Sequence, residues 1–448
     1  MDRLMELPFP VRAGLLFVLG AALGAAVNWA VYALAWKPRP FSPWDAAGRR
    51  SALLRRDFLP ILGWWFLRRK EATLGRGFWL RPMLVEILSA VGLPLLYWWE
   101  VESRGLWGEG LSSPDAATLH CVFFKHAILM AFMLVASLID VDEQIIPDSV
   151  TIPGTLIALL LAAILPASHL PVGPALPSYA LILDGSRRLE GLPPSSQATF
   201  DPLDAWHSPK NSGTAGEFLT LSSPFIWPKS LGGQPHGRGA LVGLFCWWLW
   251  IFALLPRRWY VRKGWRKAFV YFWARLFRSR VTGGLLVLGI VGSALILFVW
   301  IWGGAAWQSL LSALVGMAAG AALVWLIRIV GSLVLDREAM GFGDVTLMAT
   351  LGAFLGWQPA IILFFLSPFA GLAVGLLIWL MHGRTEIPFG PFLCLAAAAT
   401  VIFWPGLWAW TLPVFALGPL LMLVAAVCIV LFTLLLMVLR LVRERLLL

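Results

Sequence analysis

The chain has 448 residues, of which 59% are hydrophobic and only 13% charged, with a formal net charge of +11. Soluble-domain counting is excluded, because several apolar runs reach the roughly 20 residues that cross a bilayer and many of the 26 Trp stand near run ends, as interfacial anchors do. The basic excess abuts those runs, with eleven Lys/Arg against three acids from Lys37 to Arg81 and nine with no acid from Arg257 to Arg280. The positive-inside rule accounts for this better than a nucleic-acid partner.

The first predicted span covers about 13–34 and reads as a retained helix, since it lacks a basic start and a clear cleavage site. Within it, Gly20, Gly24 and Asn28 mark a helix-packing face. A basic cytoplasmic loop follows at about 35–81, then a span at 82–99 that carries Glu86. Glu86 admits two readings, a structural pairing with a loop arginine or a tuning of the aspartates Asp140 and Asp344. The next loop, with Glu100, Glu102, Glu109 and Asp115, is expected outside. The region to 118 is read as one N-terminal membrane unit.

A span at 119–139 returns inward and ends at Asp140, and 150–171 goes out again, so that 119–171 form a second unit. Lys125 and His126 lie near the outer end, where they snorkel or face a packed interior. Residues 172–238 hold nine prolines and balanced charge, the composition of a loosely ordered exported insertion. Residues 239–303 predict a helical pair around the second basic segment. The last unit, 304–448, predicts a span at 308–334, a short helix from Asp344, and spans near 359–381, 391–409 and 413–439. An all-α polytopic fold with about ten or eleven membrane helices results.

Two acidic motifs stand out at the same membrane face. Charged groups embedded in membrane helices are costly and by default mark a functional site. Asp140 follows Ala136-Ser137-Leu138-Ile139, and a carboxylate at a helix C-terminus opposes the macrodipole, so helix stability does not explain it. Asp148, after Pro147, suits an N-cap. Asp344, in Gly341-Phe342-Gly343-Asp344, could equally be an N-cap after a flexible turn, or sit where two glycines let an extended chain approach. Pro388-Phe389-Gly390-Pro391 is a rigid turn, either a plain helix connection or a wall of the same cavity. A pair of aspartates is the minimal apparatus of an aspartyl protease. Cys121, Cys246, Cys394 and Cys428 form no C-x-x-C pair, and His169, His207 and His236 are read as scattered and external, so no metal site is expected.

Together these motifs resemble the type IV prepilin leader peptidases, membrane aspartyl proteases of the G-x-G-D kind. The similar pieces are Ala136 to Asp148, Gly341 to Asp344, Ile387 to Pro391, Arg81-Pro82-Met83-Leu84-Val85-Glu86, and Gly24 to Asn28. The resemblance implies Asp140 and Asp344 as the catalytic pair, with Gly341, Gly343, Asp148, Pro388, Gly390 and Glu86 shaping or supporting the cavity. It implies prepilin or type II secretion pseudopilin substrates and a multi-pass place in the bacterial cytoplasmic (inner) membrane. No cofactor is implied for the cleavage, and S-adenosylmethionine would be the methyl donor if amino-terminal methylation is retained. The sequence departs from the family in having no cysteine in the first loop, in the long separation of the two aspartates, and in the displacement of a basic residue to Lys37 and Arg39. The rival readings are an ion- or proton-coupled transporter using the same aspartates, a scaffold without activity, and an archaeal-type preflagellin peptidase.

Overall fold

The computed structural model describes residues 7–37, 42–44, 53–107, 114–171, 237–255, 279–335, 340–382, 388–415 and 420–446. Residues 172–236 of the expected exported insertion, nearly all of the second basic segment, Arg39, Glu109 and Ile387 fall outside them, while the last two residues of that insertion already belong to a helix. Every regular element among the described residues is helical. Among the described residues seven helices are long and apolar enough to cross a membrane, one pair bent by 96° passes the same test only when taken together, and three further apolar helices are shorter. The protein is an all-α polytopic membrane protein.

Helix α1 (Phe9–Leu34) leads through the short α2 (Leu62–Leu67) and α3 (Glu71–Leu74) into α4 (Leu80–Tyr97). Helices α1 and α4 pack closely because α1 presents glycines where α4 approaches: a Cβ on Gly24 would stand 2.6 Å from Glu86 Cα. Without a hydrophobic driving force in lipid, such small-residue contacts and interhelical hydrogen bonds hold helices together. Asn28 supplies the latter, its Nδ2 donating to Pro82 O at 2.9 Å and to Glu86 Oε1 at 3.1 Å.

Helix α5 (Ala116–Glu143) is the central strut, and α6 (Asp148–Ile164) returns from it. Asp115 caps α5 by accepting from Thr118 N. The other end stops at Gln144, which takes the left-handed conformation (φ 56°) and donates its N–H to Asp140 O at 2.8 Å. The helix thus runs one turn past Asp140 rather than ending there, a correction to the sequence expectation. A second correction concerns Asp148. Pro147 occupies the N-cap position, and Asp148 is an exposed first-turn residue without a capping hydrogen bond. Its charge still suits the positive helix end.

Helices α7 (Gly237–Leu254) and α8 (Arg280–Trp302) form the second helical pair and pack with α9 (Gly304–Leu335). The α8–α9 joint turns on Gly303 and Gly304, both at positive φ (70° and 63°), where only glycine sits without strain. Helix α9 packs along α10 (Phe342–Leu355) through Gly316 and Gly352, whose backbones nearly touch. Helix α10 binds α6 through a threonine contact, Thr155 Oγ1 with Thr350 Oγ1 at 2.9 Å, and Thr350 Oγ1 also donates to Thr151 O at 3.0 Å.

Helix α11 (Trp357–His382) is followed by α12 (Gly390–Ile402), α13 (Trp404–Phe415) and α14 (Leu420–Leu446). The expected single span at 391–409 is instead broken, with α12 and α13 meeting at 96°. Pro405 explains the break: it lacks an N–H and its ring would clash with the carbonyl of Val401, whereas the first turn of a new helix accepts it.

Candidate active site

Asp140 lies in the last turn of α5, on the stripe of Ala136 and Ile139 that faces the core, and is 4% exposed. Its Oδ2 accepts a 3.1 Å hydrogen bond from Gly390 N. Gly390 is the first residue of α12, so the donor is one of the free amides at a helix N-terminus, where the macrodipole favours negative charge. The turn Pro388-Phe389-Gly390-Pro391 therefore aims a backbone N–H at Asp140. Glycine is required there, since a Cβ would stand 2.5 Å from Asp140 Oδ2 and 2.8 Å from Ile146 Cδ1.

Asp344 is in the first turn of α10, whose N-cap is Gly341, so the carboxylate is not itself the cap. It is 8% exposed and accepts from the Gly341 backbone N–H. Gly343 faces the connection between α5 and α6: its Cβ would meet Ile146 Cβ at 3.0 Å and Ile146 N at 3.2 Å. Asp140 and Asp344 lie within electrostatic reach of each other, and both act on the buried Cys394 thiol of α12, which is hydrogen-bonded with Ser137. Two acids distant in sequence therefore share one buried corner, reached by α5, α10 and α12.

Ile146, Cys394 and Ser137 were missed by sequence reasoning. Ile146 is 5% exposed and touches both the Gly343 and the Gly390 turns. The signal in sequence was faint: an apolar residue between Ile145 and Pro147, in a segment otherwise polar.

Glu86 plays another part. It is 1% exposed, and its carboxylate accepts from Asn28 Nδ2, from Trp64 Nε1 at 2.8 Å and from the Ile61 backbone N–H. The group joins α1, α4 and the loop between them, and its partners among the described residues are Asn28, Ile61 and Trp64 rather than the loop arginine expected for a structural pairing. Arg81, in the same motif, pairs with Asp142 and donates to Leu138 O at 2.9 Å, while Glu143 accepts from the Trp36 and Lys37 amides at 2.9 and 2.8 Å. These contacts place the loop at the aspartate end of the bundle.

At the other end of α5 lie Glu100 and His169, both expected on the outer side of the membrane and both buried within the protein, at 0% and 2% exposure. Glu100 Oε1 meets His126 Nδ1 at 2.7 Å, and His169 Nε2 meets Ser309 Oγ at 2.7 Å. Lys125 is fully buried, and its Nζ has no hydrogen-bond partner among the described residues.

Residues 274–376, which include Gly341 to Asp344, match the family model described as type IV leader peptidase family. The chain is 41% identical over 108 residues to the prepilin leader peptidase/N-methyltransferase of Burkholderia pseudomallei (strain K96243), covering 23% of this chain and 34% of that protein. It is 34% identical over 121 residues to the prepilin leader peptidase/N-methyltransferase of Aeromonas hydrophila, covering 25% and 42%. With the protein of that name from Legionella pneumophila it shares 32% identity over 133 residues, 29% of this chain and 43% of the other. The aligned stretches thus span less than half the length of these curated relatives. No solved structure matches the chain. The resemblance read from the motifs is found again in the family-model match, over the segment that carries Asp344.

Proposed function

We propose that this chain is an aspartyl endopeptidase of the bacterial cytoplasmic membrane that removes the short basic leader of type IV prepilins, or of type II secretion pseudopilins, at the cytoplasmic face. One observation carries the reading: Asp140 and Asp344 are buried together, each held by the backbone amide of a glycine from a turn motif. Two carboxylates so placed share one proton, because like charges at short range do not both ionise easily. The ionised carboxylate takes a proton from a water that attacks the scissile carbonyl. The protonated one donates its proton to the carbonyl oxygen, and as the tetrahedral intermediate collapses it recovers a proton from that oxygen while the first carboxyl passes the proton taken from water to the leaving amine. Their titration belongs to the pair rather than to either residue.

The names of the relatives add methyl transfer, for which S-adenosylmethionine would supply the group. We keep this as a second step of the proposal, separable from cleavage. The test is to incubate the full-length protein in nanodiscs with a purified prepilin and measure the product masses, with and without S-adenosylmethionine. A shortened pilin supports the peptidase, and a further gain of one methyl mass supports the second step. An intact prepilin with every pilin and pseudopilin tried contradicts the reading.

A further inference from the structure

Residues 61–64 of the loop between α1 and α4 are tied back onto both flanking helices through Glu86. Glu86 accepts from Ile61 N–H and Trp64 Nε1, and Asn28 from the opposite helix binds the same carboxylate. Leu80 to Glu86 is about 9 Å of helix, and so is Asn28 to Leu34, at 1.5 Å per residue. The start of α2 is therefore held back against the inner turns of α4 rather than standing free beyond its end. Interfacial elements bury their apolar faces about 5–10 Å into the headgroup and acyl boundary, a range within reach of a segment held in this way.

The free face of this segment has the matching chemistry. Leu54, Phe58, Leu59, Leu62 and Trp65 are each about half exposed, between 48% and 54%. The inner face is closed by Trp64 and Leu67, packed with Tyr32, Trp44 and Phe78. Arg55, Arg56 and Arg68 stand exposed at the two ends of the apolar face, with the Arg56 guanidinium over Phe66 and Arg68 over Trp65 and Trp79. The acid of the segment, Asp57, is 5% exposed and already paired with Arg69. The exposed surface is thus apolar in the middle and cationic at its rim.

We infer that residues 54–68 form a lipid-docking element that inserts its apolar face into the leaflet at the aspartate end and binds anionic phospholipid headgroups through Arg55, Arg56 and Arg68. Long arginine side chains reach back to the phosphate level while their stems cover apolar surface. Basic side chains near an anionic leaflet are attracted to it, and the rim arginines would repel a basic peptide at the same place. In this chain the loop is organised by Glu86, the Asp57–Arg69 pair and an aromatic cluster.

The test uses the full chain in nanodiscs of phosphatidylcholine with or without phosphatidylglycerol. Nitroxide labels are placed at Leu62→Cys, Trp65→Cys and, as a water reference, Ala72→Cys, in a background carrying Cys121→Ser and Cys428→Ser. The inference predicts collision with oxygen at Leu62 and Trp65 and with a water-soluble nickel chelate at Ala72. In parallel, Arg55→Gln/Arg56→Gln/Arg68→Gln should lower the enrichment of phosphatidylglycerol around the protein about threefold without altering the oxygen pattern. Nickel access at Leu62 and Trp65 would overturn the insertion, and unchanged lipid enrichment would overturn the headgroup contacts. Nickel access that disappears only when a prepilin is added would assign the face to a protein partner instead.

Discussion

Gly390 N donates to Asp140 Oδ2 at 3.1 Å across a sequence separation of 250 residues. That single hydrogen bond joins the last turn of α5 to the first turn of α12, and it depends on the absence of a side chain at Gly390. Gly390→Ala should displace the carboxylate and lower the cleavage rate about 100-fold, the usual scale for a misplacement of about 1 Å. Thermal unfolding separates this from general damage: the midpoint should fall little compared with the rate. Activity within threefold of wild type would show that the contact is dispensable.

Glu86 serves three donors, one from α1 and two from the loop between α1 and α4. Glu86→Gln keeps the shape but offers one acceptor oxygen, so at least one buried donor is left unmet at a cost of about 1–3 kcal/mol. The expected outcome is a lower thermal midpoint with faster proteolysis within residues 53–79. Cleavage by the intact fraction should be unchanged per molecule, because Glu86 is spent on the helix–loop junction. A large loss of rate at full stability would move Glu86 into the active site.

How far the sequence reached is clearest at the two aspartates. The Gly341 to Asp344 and Pro388 to Pro391 motifs were legible because glycine and proline at fixed offsets advertise special backbone geometry. Their shared neighbour Ile146 was not, since a buried isoleucine has no signature apart from the contacts it makes. The helix boundary at Asp140 was misplaced because an acidic run reads as a loop, while the left-handed Gln144 that ends the helix carries no compositional mark. The basic loop was legible as charge, but its attachment to α1 and α4 became visible only through the Glu86 hydrogen bonds. The cluster of Glu100, His126 and His169 was invisible for the same reason: its members come from three separate segments.

Lys125 offers a stability test at that cluster. Its fully buried Nζ has no hydrogen-bond partner among the described residues. Replacing buried charged groups by apolar ones of similar volume is often neutral or stabilising, by about 1–4 kcal/mol. Lys125→Met should therefore leave the thermal midpoint unchanged or raise it. A clear drop would mean that the ammonium makes polar contacts worth keeping.

Acid should loosen the loop before the bundle. Burial alone would raise the Asp57 carboxyl, but hydrogen bonds from Arg69 and the Leu54 N–H, with the charges of Arg69 and Arg56, hold it below the usual carboxylate range. A depressed folded-state value contributes stability that is complete above the unfolded value, about 3.9, and is lost as pH falls through the folded value. The 19F resonance of fluorotryptophan at Trp64 should report loosening only below about pH 4. Asp57→Asn should remove that acid transition and leave the loop weaker at neutral pH. An acid transition at the same pH in Asp57→Asn would assign the effect to another group.

The central claim is that Asp140 and Asp344 work as one unit, and the most direct measurement is leader cleavage of a prepilin co-expressed with wild type, Asp140→Asn or Asp344→Asn, with membrane insertion verified in each. Both substitutions keep size and one acceptor oxygen while removing the acid–base function. The account predicts that either single variant stops processing as completely as the double variant, since the pair shares one proton. Processing at the wild-type rate by either single variant would contradict it.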